Sequence, residues 1–438
     1  MPKEVLRTAV ASAAVSAVAL TIALGGSAFG CQTTDEPRPG TPRPGASSGG
    51  PGASSTSSGG ASSSGGVDAS ATDEPLACGD APAPAAAFSK TALLAATADC
   101  AAWRSCTFVN VASELRRAVR AHVAQPDDTT LAAARAAWSK AMGEWSWLEL
   151  FQFGPAGTTV SDPYHGRSLR SFIHPWPQSS RCEVEKQVAS GAWKTDGITS
   201  VLPSGRGLFA VEYLLHYAGA DTACLPGSPT GQAWASLSAD ALAAAKREYE
   251  AATAENVVAI ALELRNVWLP EGENFKAKLL AHEGYGSEQE ALNVLGWAMF
   301  YVEQDVKDIK LAPLAEVVAT PPVPETPFAH VDVANVRTNL RAFRSLFQGC
   351  GAGGAGLGFD DWLVSAGHAA LSNDILTALT NAEAAADAFP AFEQATPEQF
   401  RSFYETVRVL TTLLKTNLFG SASPLNLRLP ASAASDTD

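Results

Sequence analysis

Positive charge is scarce in this 438-residue chain: 31 Lys and Arg stand against 45 Asp and Glu, a net charge of −14. A protein that meets nucleic acid needs a basic face for the phosphates, so nucleic acid is excluded as a partner. An acidic surface favours solubility and is compatible with attracting cations. Local catalytic motifs are missing as well. No H-E-x-x-H occurs, which removes the usual zinc-protease helix, and there is no G-x-S-x-G, Walker loop or dinucleotide fingerprint. The histidines, His122, His165, His174, His216, His282, His330 and His368, are scattered, none with another at helical ligand spacing. Local sequence therefore gives no support to a compact His-based metal site. No C-x-x-C pair is present, and no alternating apolar–polar run is long enough for a sheet.

The amino end carries an address. Lys3 and Arg7 precede an apolar, Ala- and Val-rich run over 9–29, broken by Gly25-Gly26 and closing on Ala28-Phe29-Gly30-Cys31. Basic start, apolar core and small residues at the cut are the order of a secretory signal. The run is too short and soft for a membrane-spanning helix, which needs about 20 firmly apolar residues. A cysteine directly after small residues predicts a lipoprotein signal peptide over 1–30 and acylation of Cys31, with the membrane as a partner through that lipid. Gln32 stands where an Asp would retain a Gram-negative lipoprotein in the inner membrane. In such a cell the expected place is the outer membrane, facing periplasm or surface.

Residues 31–80 read as a tether. Between 34 and 71 the chain is Pro, Gly, Ser and Ala with almost no large apolar side chain, so it cannot bury enough surface to offset its ordering entropy. With Cys31 taken by lipid, Cys78, Cys100, Cys106, Cys182, Cys224 and Cys350 remain, an even number in an oxidising compartment. That composition predicts disulfides. Cys182 with Cys224 would brace the loops around the central motif, although the sequence leaves the pairing open.

Residues 81–438 read as all-α. Long Ala-, Leu-, Glu-, Lys- and Arg-rich stretches fall at 111–123, 131–151, 234–266, 288–308, 333–347, 374–388 and 397–418. Apolar residues recur three and four apart, as in Leu131, Ala134, Trp138, Met142, Trp145 and Leu148. Asp127 to Thr130 looks like a helix start, and Pro397 suits a first turn. Residues 154–182 interrupt the pattern, and the five prolines of 312–327 suit a connector. The expected architecture is two helical-bundle-like halves, about 81–310 and 328–438, packed together.

One short segment has chemical content. In 205–216, Leu208, Val211 and Leu215 make an apolar stripe with Glu212 inside it. A carboxylate on a buried face costs several kcal/mol unless it is paired or metal-bound. Either an Arg or backbone donors at a neighbouring helix end hold it, or it is a ligand or acid–base group. Glu149 is placed similarly after Trp145 and Leu148. Two inward carboxylates from different helices would make an oxygen-rich cation site.

These residues resemble the imelysin-like family of bacterial surface proteins, also grouped as M75 peptidases. Gly207-Leu208-Phe209-Ala210-Val211-Glu212 is similar to its Gly-x-His-x-x-Glu signature, and the run through Tyr213-Leu214-Leu215 is similar to the lipoprotein branch. Ala136-Ala137-Trp138 to Glu149 and Phe153-Gly154-Pro155 resemble its first long helix and Gly-Pro exit. Pro175-Trp176-Pro177 resembles its Trp-Pro loop, and Asn339-Leu340 to Gly349, then Gly356-Leu357, the opening of its second half. The tail 426–438 resembles its acidic terminus, so the likeness covers about 90–438.

The resemblance implies an all-helical fold of two bundle-like halves, a site in the cleft between them, and an envelope protein associated with iron acquisition. It nominates Gly207, Glu212, Glu149, His216, Trp176 and Asn339 as cleft residues, with Glu212 as a metal ligand and iron or another divalent cation as cofactor. The signature histidine is Phe209 here, which can neither bind metal nor move a proton; His216, one turn beyond Glu212, is the one imidazole that could serve the same face. The expected function is a non-catalytic envelope binding protein linked to iron or metal uptake. A metal-dependent peptidase and a protein-interaction lipoprotein are the alternatives.

Overall fold

The computed structural model describes residues 74–82, 87–351 and 355–434. The signal peptide, Cys31, most of the tether and the last four acidic-tail residues lie outside them. Residues 67–438 form one unit. Its helices are α1 (Lys90–Ala124), α2 (Asp128–Leu148), α3 (Leu169–Ile173), α4 (Arg181–Ser190), α5 (Trp193–Asp196), α6 (Gly207–His216), α7 (Pro229–Ser236), α8 (Ala239–Trp268), α9 (Phe275–Leu280), α10 (Glu288–Trp297), α11 (Asp332–Gln348), α12 (Phe359–Ser365), α13 (Ala369–Ala388), α14 (Pro397–Thr412) and α15 (Ala431–Ala434). There is no strand among the described residues. None of the described helices is long and apolar enough to cross a membrane.

Local sequence explains where the main helices begin. Ser89, Ser238 and Ser287 each turn a side-chain oxygen onto a first-turn amide of α1, α8 and α10. Asp127 and Thr130 cap α2 reciprocally, as do Thr396 and Gln399 on α14, with Pro397 at its first turn. The expected single helix over 234–266 is two helices, because Leu237 is extended and Ser238 starts a new one. The chain after α10 also departs from a plain α-helix: Val302–Leu311 is wound as a π-helix, and Leu413–Leu418 repeats this after α14. Such wider turns are rare and often accompany functional sites.

Packing follows the apolar stripes. α1 lies against α2 and α8, and α6 against α8 and α2. Trp138, fully buried on α2, donates its indole N–H to Leu208 O of α6 at 2.8 Å. α11 packs on α2 and α13, and α14 on α13 and the π-helical run. A smaller core of Val184, Phe209, Tyr213, Trp234 and Tyr249 closes the region around α4 and α7. Disulfides stitch these parts: Cys78–Cys106 holds the entry segment to α1, Cys100–Cys350 joins α1 to the chain just after α11, and Cys182–Cys224 braces α4 to the loop before α7.

One buried carboxyl in this core sets a pH prediction. Glu250 on α8 is 2% exposed and one of its oxygens has no partner among the described residues. Burial pushes its carboxyl from 4.5 up to about 8, Arg247 only partly opposing. The folded protein thus holds this proton more tightly than the unfolded chain, and stability falls as pH rises between about 4.5 and 8. Glu250→Gln, which imitates the protonated group, should raise stability at pH 8.5 by on the order of 2 kcal/mol and flatten the slope. Urea midpoints of both proteins at pH 5 and pH 8.5 measure this; an unchanged slope refutes it.

Candidate metal centre

Three elements that are distant in sequence end at one place. α2 runs out at Leu148 and presents Glu149; α3 runs out at Ile173 and presents His174; the proline-rich connector brings Glu325. One ligand atom from each lies within 4.8 Å of the others, and all three residues are buried. Gly207 helps bring α6 beside this point. Its φ is +77°, and a Cβ there would lie 2.4 Å from Ile173 O, so only glycine lets α6 start against the backbone that leads into His174.

Each carboxylate has one oxygen held and one oxygen without a partner. Glu149 Oε2 accepts from Tyr301 Oη at 2.8 Å and from Asn339 Nδ2 at 3.3 Å, while Oε1 has no partner among the described residues. Glu325 Oε2 accepts from Lys310 Nζ at 2.8 Å and Asn335 Nδ2 at 2.9 Å, and its Oε1 is equally unpartnered. Neither ring nitrogen of His174 has a partner among the described residues, although the side chain is 1% exposed. Leaving such groups buried and unsatisfied costs about 1–3 kcal/mol each. Two carboxylates and an imidazole, oriented by outer hydrogen bonds, are a fitting donor set for a borderline divalent cation such as Fe²⁺, Mn²⁺ or Zn²⁺.

Electrostatics agree. Lys310, on the π-helical run, also reaches Asn339 Oδ1 at 2.9 Å and lies 3.9 Å from Glu149 Oε2, over the faces of Trp176 and Tyr301. Burial alone would lower its pKa, but Glu325 and Glu149 hold it charged, above the ordinary value. Burial pushes Glu149 up, yet Lys310 and its neighbours pull it below the usual carboxylate value. Glu325 is driven by burial up to about 7, despite its closer contact with Lys310. The two share one lysine, and the proton belongs to the pair rather than to one side chain. Asp305, facing Arg170 and Lys310, is raised by burial to about 6. Glu149, Glu325 and Asp305 thus lie near Lys310 and Arg170, and a bound cation would favour the ionised form of the carboxyls that burial raises. Burial also pushes His174 down to about 4, so near neutral pH its imidazole is uncharged and free to ligate.

A cavity touches the cluster at Glu325. Of about 250 Å³ and walled by Leu314, Pro322, Val323, Pro324 and Phe392, it extends to Lys310 and Glu325. Trp176 fixes part of its wall, donating from Nε1 to Val323 O at 3.1 Å.

The nominated residues separate into groups. Glu149, Trp176 and Asn339 meet at the cluster, with Asn339 also donating to Ser146 O at 2.6 Å. Glu212 is fully buried, but its Oε1 accepts the amides of Phe328 and Ala329 at 2.8 and 2.9 Å, the backbone-donor arrangement; its pKa is raised by burial to about 8. His216 packs its ring against Trp138. No group of three or more ligand atoms among the described residues includes Glu212 or His216. His174 and Glu325 escape sequence reasoning, because one is a lone histidine ahead of Pro175-Trp176-Pro177 and the other sits in a segment that reads only as a connector. The adjacency of His174 to the Trp-Pro loop was the one available signal.

An all-helical protein with a buried carboxylate–imidazole cluster between its bundles is the class that fold and site define. The chain belongs to the imelysin family: the family model, Peptidase_M75, matches residues 107–416. No curated protein matches it. Among solved structures, an imelysin-like protein from Psychrobacter arcticus 273-4 superposes with a TM-score of 0.58 at 16% identity, covering 78% of this chain and 96% of that one. A protein from Parabacteroides distasonis ATCC 8503, named as an iron-regulated protein A precursor, gives a TM-score of 0.58 at 17% identity, covering 76% and 96%. These likenesses show the fold.

Proposed function

We propose that this chain is an envelope protein, lipid-anchored through Cys31, that binds a divalent cation at Glu149, His174 and Glu325 and takes part in iron or metal uptake without catalysing a reaction. The observation that carries this reading is His174: a buried imidazole whose two nitrogens have no partner among the described residues, beside two carboxylates that each keep an oxygen without one there. Family membership and the iron-regulated name of one structural relative support iron as the cargo. Phe209 in place of the signature histidine, and the burial of the three ligands, favour retention over peptidase turnover. The signal sequence and tether favour a lipid-held position in the envelope.

Calorimetric titration of chelator-treated protein with Fe²⁺, Mn²⁺ and Zn²⁺ tests the proposal. Expected is one site per chain, with affinity reduced about 10–100-fold or more in Glu149→Gln, since outer-shell losses alone cost that much. Absence of binding by the wild type, or equal binding by the variant, overturns it.

A further inference from the structure

The signature glutamate is buried 116 residues away in sequence from the amide it binds, and it grips a strap. The strap is residues 325–332, between the proline-rich connector and α11. Asp332 ties its start, accepting the amides of Glu325 and Thr326 at 2.7 and 3.2 Å and the Thr326 hydroxyl at 2.7 Å. Glu212 ties its middle through the amides of Phe328 and Ala329. The Phe328 ring enters a nest of aromatic rings on and just after α6, with Phe209, Tyr213 and Tyr217 at 6.2, 5.2 and 5.4 Å between centroids. Phe209, which replaces the signature histidine, therefore acts on the same strap residue as Glu212. The strap carries Glu325 three residues before that anchor.

We infer that Glu212 is a positioning residue: with Phe209 it clamps the strap at Phe328, and this holds the Glu325 carboxylate against Glu149 and His174. The inference rests on the cation-binding reading for its consequence, but not for the clamp itself. Two backbone N–H groups converging on one carboxylate oxygen fix the strap's distance from α6. With the start of the strap fixed by Asp332, residues 325–329 have little freedom, and Glu325 is delivered preformed. Glutamine retains a carbonyl oxygen that accepts both amides. Alanine has no acceptor, and aspartate is one methylene too short to reach.

The test uses the full chain as wild type, Glu212→Gln, Glu212→Asp and Glu212→Ala, each checked for folding by circular dichroism. Hydrogen exchange in chelator reads the Phe328 and Ala329 amides directly. Expected is exchange at least 10-fold faster in Glu212→Asp and Glu212→Ala, with protection largely kept in Glu212→Gln. Titration with Mn²⁺ or Zn²⁺ then reads the consequence: at least a 10-fold loss of affinity in the two variants that free the strap, and near wild-type affinity in Glu212→Gln. Should Glu212→Ala not fold, the aspartate and glutamine variants supply both readouts. Unchanged amide exchange in Glu212→Asp overturns the clamp, and freed amides with unchanged metal affinity overturn its positioning role. A wild type that binds no metal sinks the cation reading and the positioning role, whereas the exchange arm still decides whether the clamp exists.

Discussion

Replacing Lys310 by methionine is expected to destabilise the metal-free protein by about 3–5 kcal/mol, the usual cost of stranding the partner of a buried charge. Among the described residues Lys310 Nζ is the cation bonded to Glu325, it also lies near Glu149, and all three side chains are buried. Methionine keeps the length and the contact with the Trp176 and Tyr301 rings, so the loss reports charge rather than volume. The cost grows with pH: without Lys310 the Glu325 carboxyl, already raised by burial, is pushed further up, and it offsets the loss wherever it keeps its proton. If the cluster binds a divalent cation, that cation should recover part of the loss, about 2.7 kcal/mol at a hundredfold excess over its Kd. Thermal melts of Lys310→Met with chelator and with Mn²⁺, at pH 6 and pH 8, check both statements. A variant as stable as the wild type in chelator at pH 8 would mean that the carboxylates are not charged there.

The second large effect concerns the Cys100–Cys350 bridge, whose cysteines are 250 residues apart. A cross-link acts chiefly on the unfolded chain, and the chain-entropy account assigns roughly 5 kcal/mol to a closed loop of this length. Measured losses for native bridges run about 2–5 kcal/mol. Cys100→Ser with Cys350→Ser is accordingly expected to lower stability by several kcal/mol, about 2 kcal/mol more than loss of the Cys78–Cys106 bridge at a separation of 28 by loop length alone. Guanidinium unfolding of the two double variants compares them; equal midpoints would remove the loop-length argument.

Much of the fold was legible because helices announce themselves through spacing. The 333–347 stretch proved to be Asp332–Gln348, and the helix start at Asp127 and Pro397 in the first turn of α14 stand where the sequence placed them. α1 was read only from 111, whereas it begins at Lys90. Its first turns carry Thr, Cys and Ser among small residues, so the buried stripe of Leu94, Ala98 and Ala101 is thinly apolar. The expected helix over 288–308 is real as winding but not as type, since a π-helical turn keeps nearly the same apolar pattern.

The site was half legible for a different reason. Glu149, Trp176 and Asn339 could be nominated through resemblance, and they do meet. His174, Lys310 and Glu325 could not, because ligands supplied by two helix ends and a connector share no spacing that a local motif can record. Glu212 was conspicuous for its burial within an apolar stripe. Burial alone does not distinguish a ligand from a carboxylate that holds backbone; the amides of Phe328 and Ala329, and the place of Glu212 outside the ligand group of Glu149, His174 and Glu325, make that distinction.

The Cys100–Cys350 bridge has a consequence for traffic as well as for stability. It covalently fastens α1 to the chain leaving α11. A protein laced in this way cannot gape like a clamshell along that seam. If Glu149 and His174 bind a cation, its entry and exit would then proceed by small displacements of the strap and the cavity wall, and exchange should be slow in oxidised protein and faster once the seam is reduced.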